Sequence, residues 1–165
     1  MGSLQESMKE YQKQLKKDAI TAAYQGLMKF FMGLRTHFKN TYPDYYVSAV
    51  YPGYMDVTFF SFYSKPLKER GLKIILIFDH DAFRFEVWLA GFNKQVQSTY
   101  WQIFKDSGWD EYHVVPAIAG VDAIVAYSVV EDPDFDDLAT LTKQIESGAA
   151  KFVKAVERFL SAIKI

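Results

Sequence analysis

Seven residues carry the chemistry this chain could do: Asp56, Lys73, Arg84, Glu86 and Trp88, with Tyr51 and Tyr54 beside them. A guanidinium can clamp a carboxylate or phosphate through paired hydrogen bonds, and an indole can stack on a planar ligand. Carboxylates such as Asp56 and Glu86 can hold a divalent cation, and a lysine such as Lys73 can stabilise charge developing beside it. Spacing points them to a common surface. The run from Phe83 to Leu89 alternates strictly: Phe83, Phe85, Val87 and Leu89 fall on one side, Arg84, Glu86 and Trp88 on the other. That period belongs to a half-buried strand. The apolar run LKIILIF lies just before it, across Asp79-His80-Asp81-Ala82, and the two read as an antiparallel hairpin.

With the turn centred on His80-Asp81, residue 78 faces 83, 76 faces 85 and 74 faces 87. Lys73 then falls opposite Trp88, within reach of a cation–π contact. Tyr51-Pro52-Gly53-Tyr54 suits a type II turn, with Pro second and Gly third. Residues 46–51 and 54–63 therefore read as paired strands, with Asp56 and Thr58 sharing a face with Tyr51 and Tyr54. Where the two polar faces coincide, Asp56, Lys73, Arg84, Glu86 and Trp88 line one groove rimmed by tyrosines. Spacing alone does not fix that coincidence. The competing account is an ordinary solvated sheet face, whose cross-strand ion pairs contribute little.

Other candidates carry less. Asp79-His80-Asp81 offers three ligand types, yet His37 and His113 stand alone, so turn chemistry accounts for it better than a metal. In the acidic run 131–137, Asp132, Asp134 and Asp136 match the first ligands of a calcium loop. Asp137 stands where glycine is required, however, and Lys143 where glutamate is required. Helix capping explains those charges. Phosphate-loop, dinucleotide, nucleophile-elbow and zinc-protease motifs are missing from the sequence. No metal site and no cofactor is expected.

The elements that must position these residues follow from composition and period. The chain has 165 residues, half of them hydrophobic, and a net charge of -1. That fits one domain with a full core and gives no bulk attraction for nucleic acid. Cysteine is absent, which excludes disulfides and thiolate chemistry. No apolar run reaches the roughly 18 residues of a membrane span, and the polar start lacks a signal-peptide core. A cytoplasmic protein is expected. Residues 1–17 read as a polar arm, in part a leader, with Met1 or Met8 as the native start. Leu4, Met8, Tyr11 and Leu15 lie along one helical face of that arm.

Residues 18–163 read as a single domain. Asp18 is placed to cap a helix over 19–39, ended by Pro43, with Ala23, Leu27, Phe30, Phe31, Leu34 and Phe38 as its stripe. Residues 64–71 read as a basic loop. A central helix starts after Asn93, strands follow at 112–115 and 123–130, and a final helix covers 135–162, where Gly148 marks a bend or a close neighbour. The expected fold class is α+β: a mainly antiparallel sheet of about five or six strands, with long N- and C-terminal helices and one shorter central helix.

The segments GYMDVTFFSF, LKIILIFDHDAFRFEVWLAGFNKQVQSTYWQIF and EDPDFDDLATLTKQIESGAAKFVKAVERFL resemble a family of bacterial proteins built on a domain of unknown function. The likeness covers Asp18 to Leu160, and Phe85 to Gly91 with Asn93 is its most distinctive part. It implies a small stand-alone protein of Bacteroides-type bacteria and Firmicutes, and it supplies no activity. Together these readings favour a non-enzymatic binding or interaction module for a small polar ligand or protein partner. A metal-dependent hydrolase using Asp56, Glu86 and Lys73 is the alternative, and a structural partner subunit, such as a homodimer, the third.

Overall fold

Apolar residues at every second or every third and fourth position set the elements. The computed structural model of the chain describes residues 2–163; Met1, one of the two expected starts, lies outside them. In order, the described residues form α1 (Leu4–Leu15), α2 (Ala19–Thr41), β1 (Tyr46–Val47), β2 (Val57–Tyr63), α3 (Lys65–Glu69), β3 (Leu72–Asp79), β4 (Arg84–Gly91), α4 (Lys94–Ser107), β5 (His113–Val114), β6 (Ala123–Val130) and α5 (Leu138–Ala162). The six strands make one open antiparallel sheet in the order β1-β2-β3-β4-β6-β5. The fold is α+β, with long helices near both ends and a shorter central one. No helix among the described residues is long and apolar enough to cross a membrane.

Strands β3 and β4 sit mid-sheet, and the helices cover one face of them. Leu72, Ile74, Leu76, Phe78, Phe85, Val87 and Leu89 are each no more than 1 % exposed. Full burial of such a side chain is worth about 1.5–3 kcal/mol, so these rows dominate folding. Helix α2 lays Phe31 and Phe38 on Phe60, Phe62 and Phe85. Helix α5 sets Phe152 against Tyr112 and Tyr127. Helix α4 joins the same core through Phe104, whose ring centre lies 4.5 Å from that of Phe159.

Several local expectations are corrected. In the β3–β4 hairpin, Phe78 pairs with Phe85, Leu76 with Val87 and Ile74 with Leu89, two residues away from the expected register. The connection is longer than a two-residue turn. Asp79 Oδ1 accepts from the Asp81 and Ala82 amides, the Phe83 amide donates to the Asp79 carbonyl, and Phe83 adopts a left-handed φ of 58°. A slip of two residues leaves every side chain on its expected face. Lys73, however, moves opposite Ala90, and Ile75 takes the place opposite Trp88. Phe83 leaves the strand for the turn.

The Pro52-Gly53 segment keeps the glycine that a type II turn needs, at φ 77°, but the strands do not close there. Tyr51 bridges to Phe59, and β2 starts only at Val57. Residues 65–69 form the short helix α3, capped by Ser64, instead of a loop. Asp18 precedes α2 in a left-handed conformation, φ 62°, and makes no side-chain cap. Helix α5 starts later than expected, at Leu138, where Asp137 accepts from the Thr140 amide. Gly148 marks close packing: α5 runs through it unbroken, and an added Cβ would collide with Val129 Cγ2.

Candidate functional site

Strand parity puts Arg84, Glu86 and Trp88 on the face away from the helices, at every second position of β4. Successive side chains on that face stand about 7 Å apart along the strand, a gap that long side chains close. Arg84 Nε donates to Glu86 Oε2 at 2.7 Å, and Trp88 Nε1 donates to Glu86 Oε1 at 2.9 Å. Both oxygens of a carboxylate that is only 8 % exposed are thus engaged. The Glu86 charge beside it, through a hydrogen bond first and Coulomb attraction second, raises the Arg84 pKa above its ordinary value.

This face carries its own small apolar cluster. Ile75, Ile77 and Ala90 are buried there, with Val57, Phe59 and Trp88 packed against them. Tyr51 adds a ring 4.9 Å from that of Phe59, and Tyr54 stands edge-on to Tyr51. Ile77 is only 2 % exposed although no helix covers it, so neighbouring side chains close over it. The sheet face that the alternation marks is a closed platform held by the Glu86 hydrogen bonds.

The structure brings together Arg84, Glu86 and Trp88, and Tyr51 with Tyr54. It does not bring Asp56 to them. Asp56 is used by its own loop, where Oδ1 accepts from the Tyr54 amide at 2.8 Å. That hydrogen bond leads the causes that hold its carboxyl below the usual range. Strand β3 stands between it and β4, so two interstrand spacings, about 10 Å, separate it from Arg84. Thr58 turns to the opposite face and is fully buried. Among the described residues, no group of three or more His, Asp or Glu could hold a metal ion. His37, isolated in sequence, meets Glu146 of α5 at 2.7 Å.

A second site lies at the turn end of the sheet, where four distant segments converge. The first turns of α2 (Ile20, Ala23, Tyr24, Gly26, Leu27), Met55, the β3–β4 turn (Phe78, His80, Phe83), and Phe135 with Leu138 enclose a cleft of about 500 Å³. That volume falls within the range of small-molecule sites. Phe78 packs edge-on to both Phe83 and Phe135 and forms its floor. His80 and Tyr24, 6.4 Å apart between ring centres, bring polar atoms to this wall.

The histidine's hydrogen-bonding state follows from its neighbour. Thr58 Oγ1 donates its one proton to the Pro52 carbonyl at 2.7 Å, so the 2.8 Å contact with His80 requires Nε2 to be the donor. In the neutral ring Nδ1 is then left as an acceptor. Burial pushes the His80 pKa below its ordinary value, against the weaker upward pull of Asp56 and Asp79.

Four of the lining residues, Met55, His80, Phe135 and Leu138, adjoin aspartates in the chain. Asp56 follows Met55, Asp79 and Asp81 bracket His80, Asp134 and Asp136 bracket Phe135, and Asp137 precedes Leu138. Arg84, next to Phe83, is tied to Glu86 on the other face. Four of these acids cap backbone amides: Asp56, Asp79, Asp134 and Asp137. For Asp56 the Tyr54 amide, and for Asp137 the Thr140 hydroxyl and then its amide, hold the carboxyl below its usual range. The cleft therefore has an apolar wall with aspartates next in the chain to several of its lining residues. Sequence reading missed it. Two signals point to it: Phe135, an apolar residue inside an acidic run, and the small exposed residues Ala22, Ala23 and Gly26 on α2.

Comparison with curated proteins and with solved structures returns no match. A family model described as a domain of unknown function (DUF7000) matches residues 4–160, so that α1, the sheet platform and every wall of the cleft lie inside it. The chain belongs to the DUF7000 family.

Proposed function

We propose that the protein is a non-enzymatic binding module whose site is the cleft at the turn end of the sheet, and that its ligand is apolar and positively charged. One observation carries this reading: a cleft of about 500 Å³ with aromatic and aliphatic walls, four of whose lining residues, Met55, His80, Phe135 and Leu138, adjoin aspartates in the chain. Apolar enclosure supplies affinity, while the few polar groups, His80, Tyr24 and the adjoining aspartates, supply orientation and selectivity. A metal-dependent hydrolase built on Asp56, Lys73 and Glu86 has less support. Glu86 already satisfies two donors, Lys73 pairs with Ala90, and Asp56 caps its own loop. The likeness to bacterial proteins and the lack of cysteine support a bacterial, cytoplasmic setting.

The test is a titration with two single-chain amphiphiles of equal length, one with a quaternary ammonium head and one with a sulfate head, below their micelle concentrations. The ammonium probe is expected to bind and the sulfate probe to bind at least about tenfold more weakly, a difference of 1.4 kcal/mol. Gly26→Leu should abolish binding without unfolding the chain, because a Cβ at Gly26 meets open space within 4 Å. Equal binding of the two heads, or binding unchanged by Gly26→Leu, would overturn the proposal.

A further inference from the structure

We infer that the ligand of this cleft is a protonated amine rather than a quaternary ammonium, and that His80 Nδ1 accepts its N–H. This rests on the cleft being the binding site and adds the head-group chemistry that the site selects. The tautomer of His80 is set from outside the cleft. The Pro52 carbonyl can only accept, so it takes the Thr58 hydroxyl proton at 2.7 Å. Thr58 Oγ1 then offers the ring only lone pairs, and Nε2 donates across 2.8 Å. Thr58 is fully buried, so no ligand reaches this lock. The His80 amide donates to the Asp56 carbonyl at 2.9 Å, and the ring packs edge-on to Phe78, 5.1 Å between centres. A neutral ring pinned in this way presents one unprotonated nitrogen, Nδ1.

That nitrogen is open. Among the described residues it makes no hydrogen bond, and the one buried side-chain nitrogen or oxygen without a partner is Ser128 Oγ. Nδ1 is therefore within reach of solvent. Its ring lies between Phe78 and Tyr24, and all three residues line the cleft. A ligand seated there takes water from Nδ1 and has to return a donor, because a covered acceptor without one costs free energy. Tyr24 makes no such demand, since its hydroxyl turns to donate or to accept. Of the lining side chains, only His80 fixes the direction of the hydrogen bond. A head with an N–H satisfies it, and a quaternary head leaves Nδ1 stranded. Burial pushes the His80 pKa down, against a weaker upward pull from Asp56 in the preceding loop and Asp79 at the end of β3, while Tyr24 faces the ring from α2. The ring is thus neutral, and Nδ1 an acceptor, at neutral pH.

Two alkyl amphiphiles of one chain length test this on the full chain, below their micelle concentrations. One has a dimethylammonium head and the other a trimethylammonium head. Both are singly charged and they differ by one methyl, but only the first has an N–H. At neutral pH the dimethylammonium probe is expected to bind at least about threefold tighter, its hydrogen bond outweighing the methyl it lacks. The same probe should lower the His80 pKa, followed by the ring NMR signals, more than the trimethylammonium probe does. As pH falls below the ordinary histidine range, Nδ1 takes up a proton and the preference should disappear. His80→Phe keeps a ring against Phe78 and leaves Thr58 bonded to Pro52, and it should bind both probes without preference. The wild-type pH series decides the matter even where that variant does not fold. Trimethylammonium binding as tight as dimethylammonium binding, with both lost in Gly26→Leu, would overturn the inference and leave the cleft standing. A preference that persists in acid or in His80→Phe would overturn it as well. If neither probe binds, the cleft reading falls and the inference with it.

Discussion

The packing of α5 on the sheet makes a prediction whose sign reverses with context. Gly148 sits in the middle of α5, where glycine costs about 1 kcal/mol relative to alanine. Gly148→Ala would therefore stabilise the helix were it not for Val129, whose Cγ2 occupies the space the new methyl needs. Overpacking of this kind costs about 1–3 kcal/mol, and a β-branched valine in a strand has few rotamers with which to yield. The net expectation is a destabilisation of about 1 kcal/mol. In a Val129→Ala background both γ-methyls are gone, and the nearest remaining atom of that residue, Cβ, lies 3.5 Å from the added methyl, an ordinary contact. There Gly148→Ala should stabilise by about 1 kcal/mol. The four chains of this cycle are compared by urea unfolding, with coupling read from the non-additivity. For a chain of this size a 1 kcal/mol difference moves Tm by about 2–4 °C, so the reversal is also visible by thermal melting. The same effect of Gly148→Ala in both backgrounds would refute the packing argument.

Glu86→Ala removes the acceptor for the Arg84 guanidinium and the Trp88 indole. Hydrogen bonds to a charged group are worth about 1.5–3 kcal/mol, discounted here for the partly exposed arginine, so a loss of about 2 kcal/mol is expected. Glu86→Gln keeps an acceptor for the indole and should lose less, with Trp88 fluorescence shifted only in the alanine variant; equal losses and equal spectra would count against the platform. At high pH, burial of Tyr45, pushed up to about 12, governs a different loss. The fold favours its neutral phenol, so that contribution is whole below about pH 10, the unfolded value, and disappears as pH rises toward 12. The urea midpoint should fall across that window and fall less in Tyr45→Phe; parallel curves would remove the account.

How far the sequence could be read depended on what each inference required. Helix stripes and strand alternation are local, and they carried much of the core: Phe30, Phe31, Leu34 and Phe38 of α2, Ile74, Leu76 and Phe78 of β3 and Phe85, Val87 and Leu89 of β4 lie in one cluster, while Ala23 and Phe83 stay exposed. Turn lengths were read less well. The Asp79 side chain and a left-handed Phe83 lengthen one connection, while capping by Asp56 delays the start of β2. The cleft was not legible, because its walls come from residues 20–27, 55, 78–83 and 135–138, each of which reads locally as the end of its own element.

The fate of the polar face shows which kinds of site inference survive such errors. A slip of two residues preserves the face of every side chain but changes every partner. Arg84, Glu86 and Trp88 are joined within one strand at every second position, so their contact needs no register, and it forms. Lys73 opposite Trp88 needed the register, and the slip sets Lys73 against Ala90. Asp56 needed both a register and a shared face, and it has neither. Concavity is more demanding still. Phe59 and Trp88, from strands on either side of β3, pack against Ile75 and Ile77 and turn a polar strip into a lid. In a sheet protein, then, same-strand constellations read from alternation can be trusted before cross-strand ones. Neither reveals whether the face they occupy is open, because that depends on the bulk of residues two strands away.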